Sequence, residues 1–337
     1  MDAIVLVGGQ GLRLRPLTLT RHKSLMPVLG QPAIEHLFDW LDRAGFARAI
    51  LAVGRFNDDL ADAYAGGRPG RLRVEVVRET ERLESGGAVR YAVAAAGVEG
   101  RFAVLNGDVF VDFDFQAMLA QHISRDADLS IALSEVADPW AYGVAVVDPA
   151  NRILDFVEKP PEGTEPSNLI NAGVWIFEAG LTAEIPAGAV RVEETLFPTL
   201  VAQGRTVLGY PYRGVWADIG TPARYLELHQ ALLTRDQLPW WGPKAFVDPA
   251  ASIEASVLGD GVQVGSGARV ANSVLWEEVA IGEHALVQSS ILANGVTIGV
   301  GATMQDAVIG AGATIAPGVQ LPPGSLIDPH TIVGARG

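Results

Sequence analysis

Cysteine is absent from the 337 residues. That excludes a disulfide framework, a thiolate metal site and a cysteine nucleophile. Lysine is scarce: among 25 basic side chains only Lys23, Lys159 and Lys244 are lysines. The scarcity gives each of them weight, because a compact ammonium on a flexible stem does what a planar guanidinium cannot. Positive charge is short overall, at a formal net charge of −14, which excludes a general polyanion-binding surface. Any phosphate chemistry must come from a local concentration of basic groups. Long apolar runs are missing too. None approaches the ~20 residues of a membrane span, and "AIVLV" (3–7), without a basic flank, is too short for a signal peptide. The expected location is the cytoplasm.

What is present follows two grammars. Residues 2–235 alternate short apolar runs with helical spacing. The runs 3–7, 48–54, 72–77 and 101–108 predict buried strands, and 33–45, 57–66 and 87–97 predict helices that each close on glycine. Such alternation predicts an α/β domain with a Rossmann-like, mixed but mostly parallel sheet, covered on both faces. Ligands of such sheets sit beyond the carboxyl ends of strands. From residue 247 a 17-residue period takes over. Val247, Val264, Ile281, Ile298 and Ile315 are in register, as are Ile253, Val270, Val287, Met304 and Leu321, and Leu258, Leu275, Leu292, Ile309 and Leu326. Small residues often follow the first position (Gly265, Gly282, Gly299, Ala316). Three short strands per coil, each turning one apolar side chain inward, predict a left-handed parallel β-helix of hexapeptide type. The expected domains are 1–235 and 247–337, with a Pro-, Gly- and Trp-rich join at 236–246.

The local concentration of positive charge lies in "GGQGLRLRPLTLTRHKSLMPV" (8–28), directly after the first strand. It holds Gly8, Gly9, Gly11, Arg13, Arg15, Arg21 and Lys23, and no acidic residue. It is neither a Walker A loop, which needs G-x-x-x-x-G-K-[ST], nor a dinucleotide fingerprint, whose third glycine is Leu14 here. Backbone amides exposed by Gly8, Gly9 and Gly11 suit phosphate oxygens, with Arg13 and Lys23 adding full charges.

These residues carry a resemblance. Gly8 to Thr18 resembles the G-G-x-G-x-R-L-x-P-L-T signature of sugar-1-phosphate nucleotidylyltransferases, and Lys23 with Met26-Pro27-Val28 is similar to their P-K-P-[ML]-x-P-V segment. "NGDV" (106–109), "AYGVAVVD" (141–148), "FVEKP" (156–160), "INAGVWIF" (170–177) and "VWADIGTPARY" (215–225) follow in family order. In that family a sugar 1-phosphate oxygen attacks the α-phosphorus of a nucleoside triphosphate and pyrophosphate leaves. The work is positioning and neutralisation, with no protein nucleophile. The resemblance implies that Asp108 and Asp218 hold Mg²⁺, Arg13 the triphosphate and departing pyrophosphate, and Lys23 the α-phosphate. It further implies that Lys159 grips the sugar phosphate, that Glu158 and Asn171 bind sugar hydroxyls, and that Gly143 lets the backbone approach the sugar. Two of the three lysines thus fall where the family places phosphate-binding lysines. Asp108 also suits a turn after a strand, and Asp218 a cap ahead of the helix at Pro222. His22, His284 and His330 lack metal spacing and are expected not to be ligands.

The chain departs from the family pattern in two places. His22 and Ser24 replace two prolines around Lys23, which implies a looser loop. In "ETERLESGGAVRYA" (79–92), aligned with the nucleobase loop, mannose-type guanylyltransferases more often read E-P-L-G-T-A-G, whereas Leu83-Glu84-Ser85-Gly86-Gly87 is closer to the L-E-T-G-G of muramate-1-phosphate uridylyltransferases and the G-T-G-G of heptose-1-phosphate guanylyltransferases. There Gly86 and Gly87 would let backbone amides reach the base edge. An inward Glu84 would accept from guanine N1–H and N2–H, a donor pair that uracil and thymine lack. The remaining motifs and the β-helix look most like the mannose-1-phosphate guanylyltransferase branch, implying GTP and mannose 1-phosphate as substrates. A uridylyl- or thymidylyltransferase of a glucose, muramate or heptose 1-phosphate stays open, as does a non-catalytic, nucleotide-sugar-binding regulatory subunit. The β-helix faces predict a homo-oligomer.

Overall fold

A computed structural model describes residues 1–55, 57–236 and 239–334; part of the expected join and the last three residues of the expected β-helix lie outside the described residues. The chain divides into two compact units, 1–9 with 36–216 and 10–35 with 217–337.

In the first unit, Ala3, Ile4 and Val5 have no exposed surface. A strand apolar on both faces belongs inside a covered parallel sheet. That strand, β1 (Asp2–Leu6), lies parallel to β2 (Arg48–Val53), which is parallel to β3 (Arg73–Arg78); on the other side of β1 lies β4 (Phe102–Asn106), also parallel. The sheet continues with β5 (Leu129–Glu135), β6 (Gly143–Val147), β7 (Ile153–Glu158), β8 (Leu169–Phe177) and β9 (Val207–Pro211). Among the described residues its nine strands run β7-β6-β8-β4-β1-β2-β3, with β5 between β8 and β9. β8 is antiparallel to β4, so the sheet is mixed. The expected helices are α1 (Ala33–Arg43), α2 (Asp58–Ala63) and α3 (Glu84–Ala96), joined by α4 (Phe115–Ser124) and α5 (Leu196–Ala202). Ile4, Ile50, Val104, Trp175, Phe177 and Phe197 meet in its core. Strand order reverses between β1 and β4, which makes their carboxyl ends the place for a ligand crevice.

The second unit contains α6 (Pro222–Asp236) and the β-helix. Val247, Val264, Ile281, Ile298 and Ile315 pair in succession, coil upon coil, and their inward side chains form one core. Left-handed corners recur with the same period, at Ala255, Asn272, Ser289 and Asp306, and again at Gly267, His284, Gly301 and Gly318. The small residue after the first position is required by stacking. A Cβ on Gly265, Gly282 or Gly299 would lie 2.9, 2.7 or 2.4 Å from a backbone nitrogen of the next coil. A buried serine column also runs along one side: Ser273 and Ser290 donate their N–H groups to the Oγ of Ser256 and Ser273 at 3.1 Å, and Ala307 ends it on Ser290 Oγ at 3.0 Å.

Two expectations need correction. Trp240–Trp241 pairs in parallel with Val257–Leu258, so the period reaches one unit further back and the end of the expected join is already coil. Leu326 is not the inward residue of its strand. Ile309 pairs with Ile327 and Ile315 with Val333, each 18 residues on (327 − 309, 333 − 315). The corners at Gly318 and Gly324 are six apart where Gly301 and Asp306 are five apart, so the extra residue enters at Pro322-Pro323. Leu326 is consequently 64% exposed while Ile327 packs on the core.

Candidate active site

At the crevice between β1 and β4 the backbones approach too closely for side chains. Gly107 donates its N–H to Leu6 O at 2.9 Å, and a Cβ there would lie 2.2 Å from Val7 Cγ1. A Cβ on Gly54 would lie 2.9 Å from Gly8 Cα. Gly8 and Gly9 are exposed at this crevice and Asp108 is half-buried just past β4. Glu79, the first residue past β3, is buried, and its carboxylate lies 3.7 Å from where a Gly8 side chain would begin. Burial raises its pKa, against the Leu83 N–H that favours the anion. Only its place, an acid at the carboxyl end of a strand, could have singled it out.

Glu84, Gly86 and Gly87 open α3. Glu84 has a left-handed φ of +57° and its carboxylate faces Arg82 at 2.7 Å and Arg191 at 3.2 Å. Gly86 donates its N–H to Val190 O at 2.8 Å, and a Cβ on Gly87 would lie 2.4 Å from Gly188 O. The two glycines therefore seat α3 against residues 188–190. The Gly86 amide, expected at a base edge, is bound inside the protein.

Of the four residues expected at the sugar phosphate, Gly143, Glu158 and Asn171 stand on the neighbouring strands β6, β7 and β8, and Lys159 is the residue after β7. Gly143 pairs with Glu158, and Ile170, beside Asn171, pairs with Val144. A Cβ on Gly143 would lie 2.6 Å from both Glu158 Oε2 and Phe156 Cζ, so this glycine makes room for the glutamate. Burial raises the Glu158 pKa, and the Lys159 ammonium, 3.4 Å away and more than half exposed, opposes the rise. Lys159 has φ +47° and donates its N–H to Tyr142 O at 3.0 Å. Asn171 Oδ1 accepts from Gly173 N–H at 3.0 Å and from the Trp175 indole at 2.7 Å, which holds the irregular turn of β8 and leaves the side-chain NH₂ to donate to a ligand. Glu193, in the run after Arg191, accepts from Ser85 Oγ, and burial raises its pKa as well.

In the second unit the basic loop is three one-turn 3₁₀ helices, Leu12–Leu14, Leu17–Leu19 and Lys23–Leu25. Gly11, at φ +61°, packs where a Cβ would lie 2.9 Å from Thr18 and 3.4 Å from Lys23, and Thr18 Oγ1 donates to Gly11 O at 2.8 Å. Arg13 is exposed and Lys23 half-buried. The loss of the prolines is offset: buried His22 accepts the Ser24 N–H on Nδ1 at 3.2 Å and caps the turn that presents Lys23. Asp218 Oδ2 and an Arg13 guanidinium nitrogen lie 2.6 and 3.1 Å from the point where a Gly220 Cβ would stand. Arg224 donates to both Asp218 oxygens, at 3.0 and 2.8 Å. The helix cap that Asp218 also suited is made by Thr221, whose Oγ1 accepts the Arg224 N–H at 3.3 Å. His284 and His330 are corner residues whose rings cover Gly267 and Gly312 of the preceding coil.

No group of three His, Cys, Asp or Glu side chains is arranged for a metal ion among the described residues. Mg²⁺ does not require one, since it takes one or two carboxylates and completes its shell with water and substrate phosphates. Asp108 in the first unit and Asp218 in the second are each half-buried carboxylates, the donor type that Mg²⁺ takes.

Comparison with known proteins places these features. Residues 2–235 match the family profile described as nucleotidyl transferase, and residues 240–336 that described as GMPPB C-terminal domain. The mannose-1-phosphate guanylyltransferase of Mycobacterium tuberculosis is 35% identical over 287 residues, covering 80% of this chain and 76% of that protein. The mannose-1-phosphate guanylyltransferase catalytic subunit beta of Drosophila melanogaster is 34% identical over 264 residues, covering 74% of this chain and 70% of that one. HddC from Yersinia pseudotuberculosis, in a crystal structure complexed with GMP-PN, aligns with a TM-score of 0.58 at 26% identity, over 68% of this chain and 99% of its own.

Proposed function

Because this chain belongs to the nucleotidyl transferase family, we propose that it transfers GMP from GTP to mannose 1-phosphate, giving GDP-mannose and pyrophosphate. The observation that carries this reading is the strand-order reversal between β1 and β4, where Gly8-Gly9 and Asn106-Gly107-Asp108 leave the carboxyl ends of adjacent strands. Gly8 and Gly9, exposed at the crevice, let phosphate oxygens approach the backbone, with Gly11 shaping the loop. Arg13 neutralises the triphosphate and the pyrophosphate as it leaves, and Lys23 the charge that grows at the α-phosphate. Lys159 holds the sugar phosphate, and Glu158 and Asn171 the sugar hydroxyls, one by accepting and the other by donating. Asp108 and Asp218 would hold Mg²⁺, which supplies Lewis-acid polarisation of the α-phosphate. Arg224, donating to both of its oxygens, keeps the Asp218 carboxylate aimed.

Guanine is favoured by a carboxylate, and Glu79 is the one whose position suits the task. Glu84 is occupied by two arginines, whereas Glu79 is buried with its carboxylate beside Gly8. The phosphorylated substrates suit a cytoplasmic enzyme. The apolar side chains exposed on the β-helix, Phe246, Leu286, Leu326 and Ile332 among them, suit self-association, which light scattering tests.

The deciding experiment is a pyrophosphate-release assay with Mg²⁺, crossing GTP, UTP, dTTP, ATP and CTP with mannose, glucose, N-acetylglucosamine and heptose 1-phosphates. A dominant GTP and mannose 1-phosphate pair is expected. Dominance of UTP or dTTP overturns the guanine assignment and leaves the reaction class; silence across the grid from folded protein overturns catalysis in favour of a binding subunit.

A further inference from the structure

The basic loop belongs to the same compact unit as α6 and the β-helix, and three contacts fasten it there. Arg21 donates to both Glu277 carboxylate oxygens, at 3.1 and 3.4 Å, and its guanidinium carbon stands 4.9 Å from the Trp276 ring centroid. Pro27 O accepts from Tyr225 Oη, which in turn accepts the Trp276 indole N–H at 3.0 Å. Gly30 lies against Trp240, so closely that a Cβ would start 2.0 Å from the indole.

The repeat itself shows that this contact is not generic. Trp276-Glu277 stands where the neighbouring coils read Gly259-Asp260, Ala293-Asn294 and Gly310-Ala311. One coil breaks the small-residue rule, and its indole is almost wholly buried. Arg21 and Pro27 bracket the single turn that presents Lys23, one anchor two residues before it and the other four residues after. The Arg21–Glu277 pair is only part-buried. Such a pair contributes little to stability but holds a planar, two-point geometry.

We propose that Trp276 and Glu277 of the β-helix, acting through Tyr225 and Arg21, are positioning residues for the loop that carries Arg13 and Lys23. The β-helix then serves the reaction directly, as the rigid wall against which the phosphate-binding loop is set. This rests on the reading of Arg13 and Lys23 as the groups that neutralise phosphate charge. Misplacing such a group by about 1 Å costs up to ~100-fold in rate.

The test uses the full chain and three variants, Glu277→Gln, Glu277→Asp and Trp276→Phe, with two readouts. Steady-state kinetics should show kcat falling about tenfold in E277Q and W276F, with KM for the sugar phosphate within about twofold of wild type. E277D, which keeps the carboxylate, should recover most of the loss. Hydrogen–deuterium exchange should quicken in peptides covering 12–28, whose Leu14, Leu19, Leu25 and Met26 amides bond within the loop, and stay unchanged over 72–78. If W276F does not fold, E277Q alone decides, because its side chain is about the same size and faces solvent. Unchanged exchange in 12–28 overturns the proposal. Faster exchange with kcat within about twofold of wild type also overturns it, since the loop would then be held for nothing the reaction needs. A wild-type chain silent across the nucleotide grid but with E277Q exchange confined to 12–28 overturns the assigned reaction and upholds the fastening of the loop.

Discussion

The nine-stranded sheet and the β-helix bury similar apolar residues under different rules. In the β-helix each coil buries its core against the coils beside it, so an inward residue's place follows from its position in a 17-residue period. Ile298 faces inward because Ile281 and Ile315 do. In the sheet no such translation exists. Val5 and Leu105 are neighbours across 100 positions (105 − 5) because a crossover returns β4 to the far side of β1. The comparison teaches that a repeat makes packing local, whereas a doubly wound sheet gathers its chemistry from distant strand ends. Substitutions of inward β-helix residues should therefore cost stability, and those at the strand ends of the sheet activity.

The largest expected effect breaks activity alone. On the proposed reading Asp108→Asn removes a charge at the metal and phosphate, so kcat should fall by about 100-fold or more while the circular dichroism spectrum stays that of the folded chain. Ile298→Ala should do the reverse, costing about 2–4 kcal/mol in denaturant unfolding by opening a cavity in the β-helix core. Glu79→Gln should lower kcat/KM for GTP by about tenfold or more and for UTP by less, as competition kinetics would show, since a neutral amide cannot accept from both guanine donors.

The pH dependence sharpens the same contrast. Burial holds the Glu158 carboxyl above its ordinary range, so its anion is lost earlier than usual as pH falls. KM for the sugar phosphate should rise on the acid side at a pH above that of an ordinary glutamate, and Glu158→Gln should flatten that limb. For stability the sign is opposite. A glutamate whose pKa is raised by folding costs stability at neutral pH and gives it back as pH falls from the raised value through the ordinary one. The smallest expected effect tests the register of the last coil: Leu326→Ala should change stability by no more than about 0.5 kcal/mol, and Ile327→Ala by about 1–2 kcal/mol.

How far the sequence could be followed depended on which of the two rules applied. The 17-residue register, the three faces of the coil and the requirement for small residues at 265, 282 and 299 were all legible, because stacking imposes them on each coil alike. The register slipped only where Pro322-Pro323 adds a residue, a local irregularity that a period cannot show. The strands β1 to β4 and the helices between them were legible from apolar spacing, and the ordered motifs from Gly8 to Asp218 from their residue types. Side-chain partners were not. Glu84 resembled a base reader, yet two arginines hold it; Gly86 was expected to open an amide to the base edge, yet it seats a helix; Glu79 opens the nucleobase stretch but was given no role from its residue type.

The sequence by itself determined the two architectures, the family and the residue types that phosphate chemistry demands, because periodicity and local motifs are written along the chain. Only the tertiary structure decided which groups those residues meet: Arg224 on Asp218, His22 in place of a proline, Trp276 and Glu277 behind the basic loop. The last of these reaches furthest: Arg21 and Glu277 are 256 positions apart. Contacts over such distances depend on how the whole chain closes, which no local pattern records.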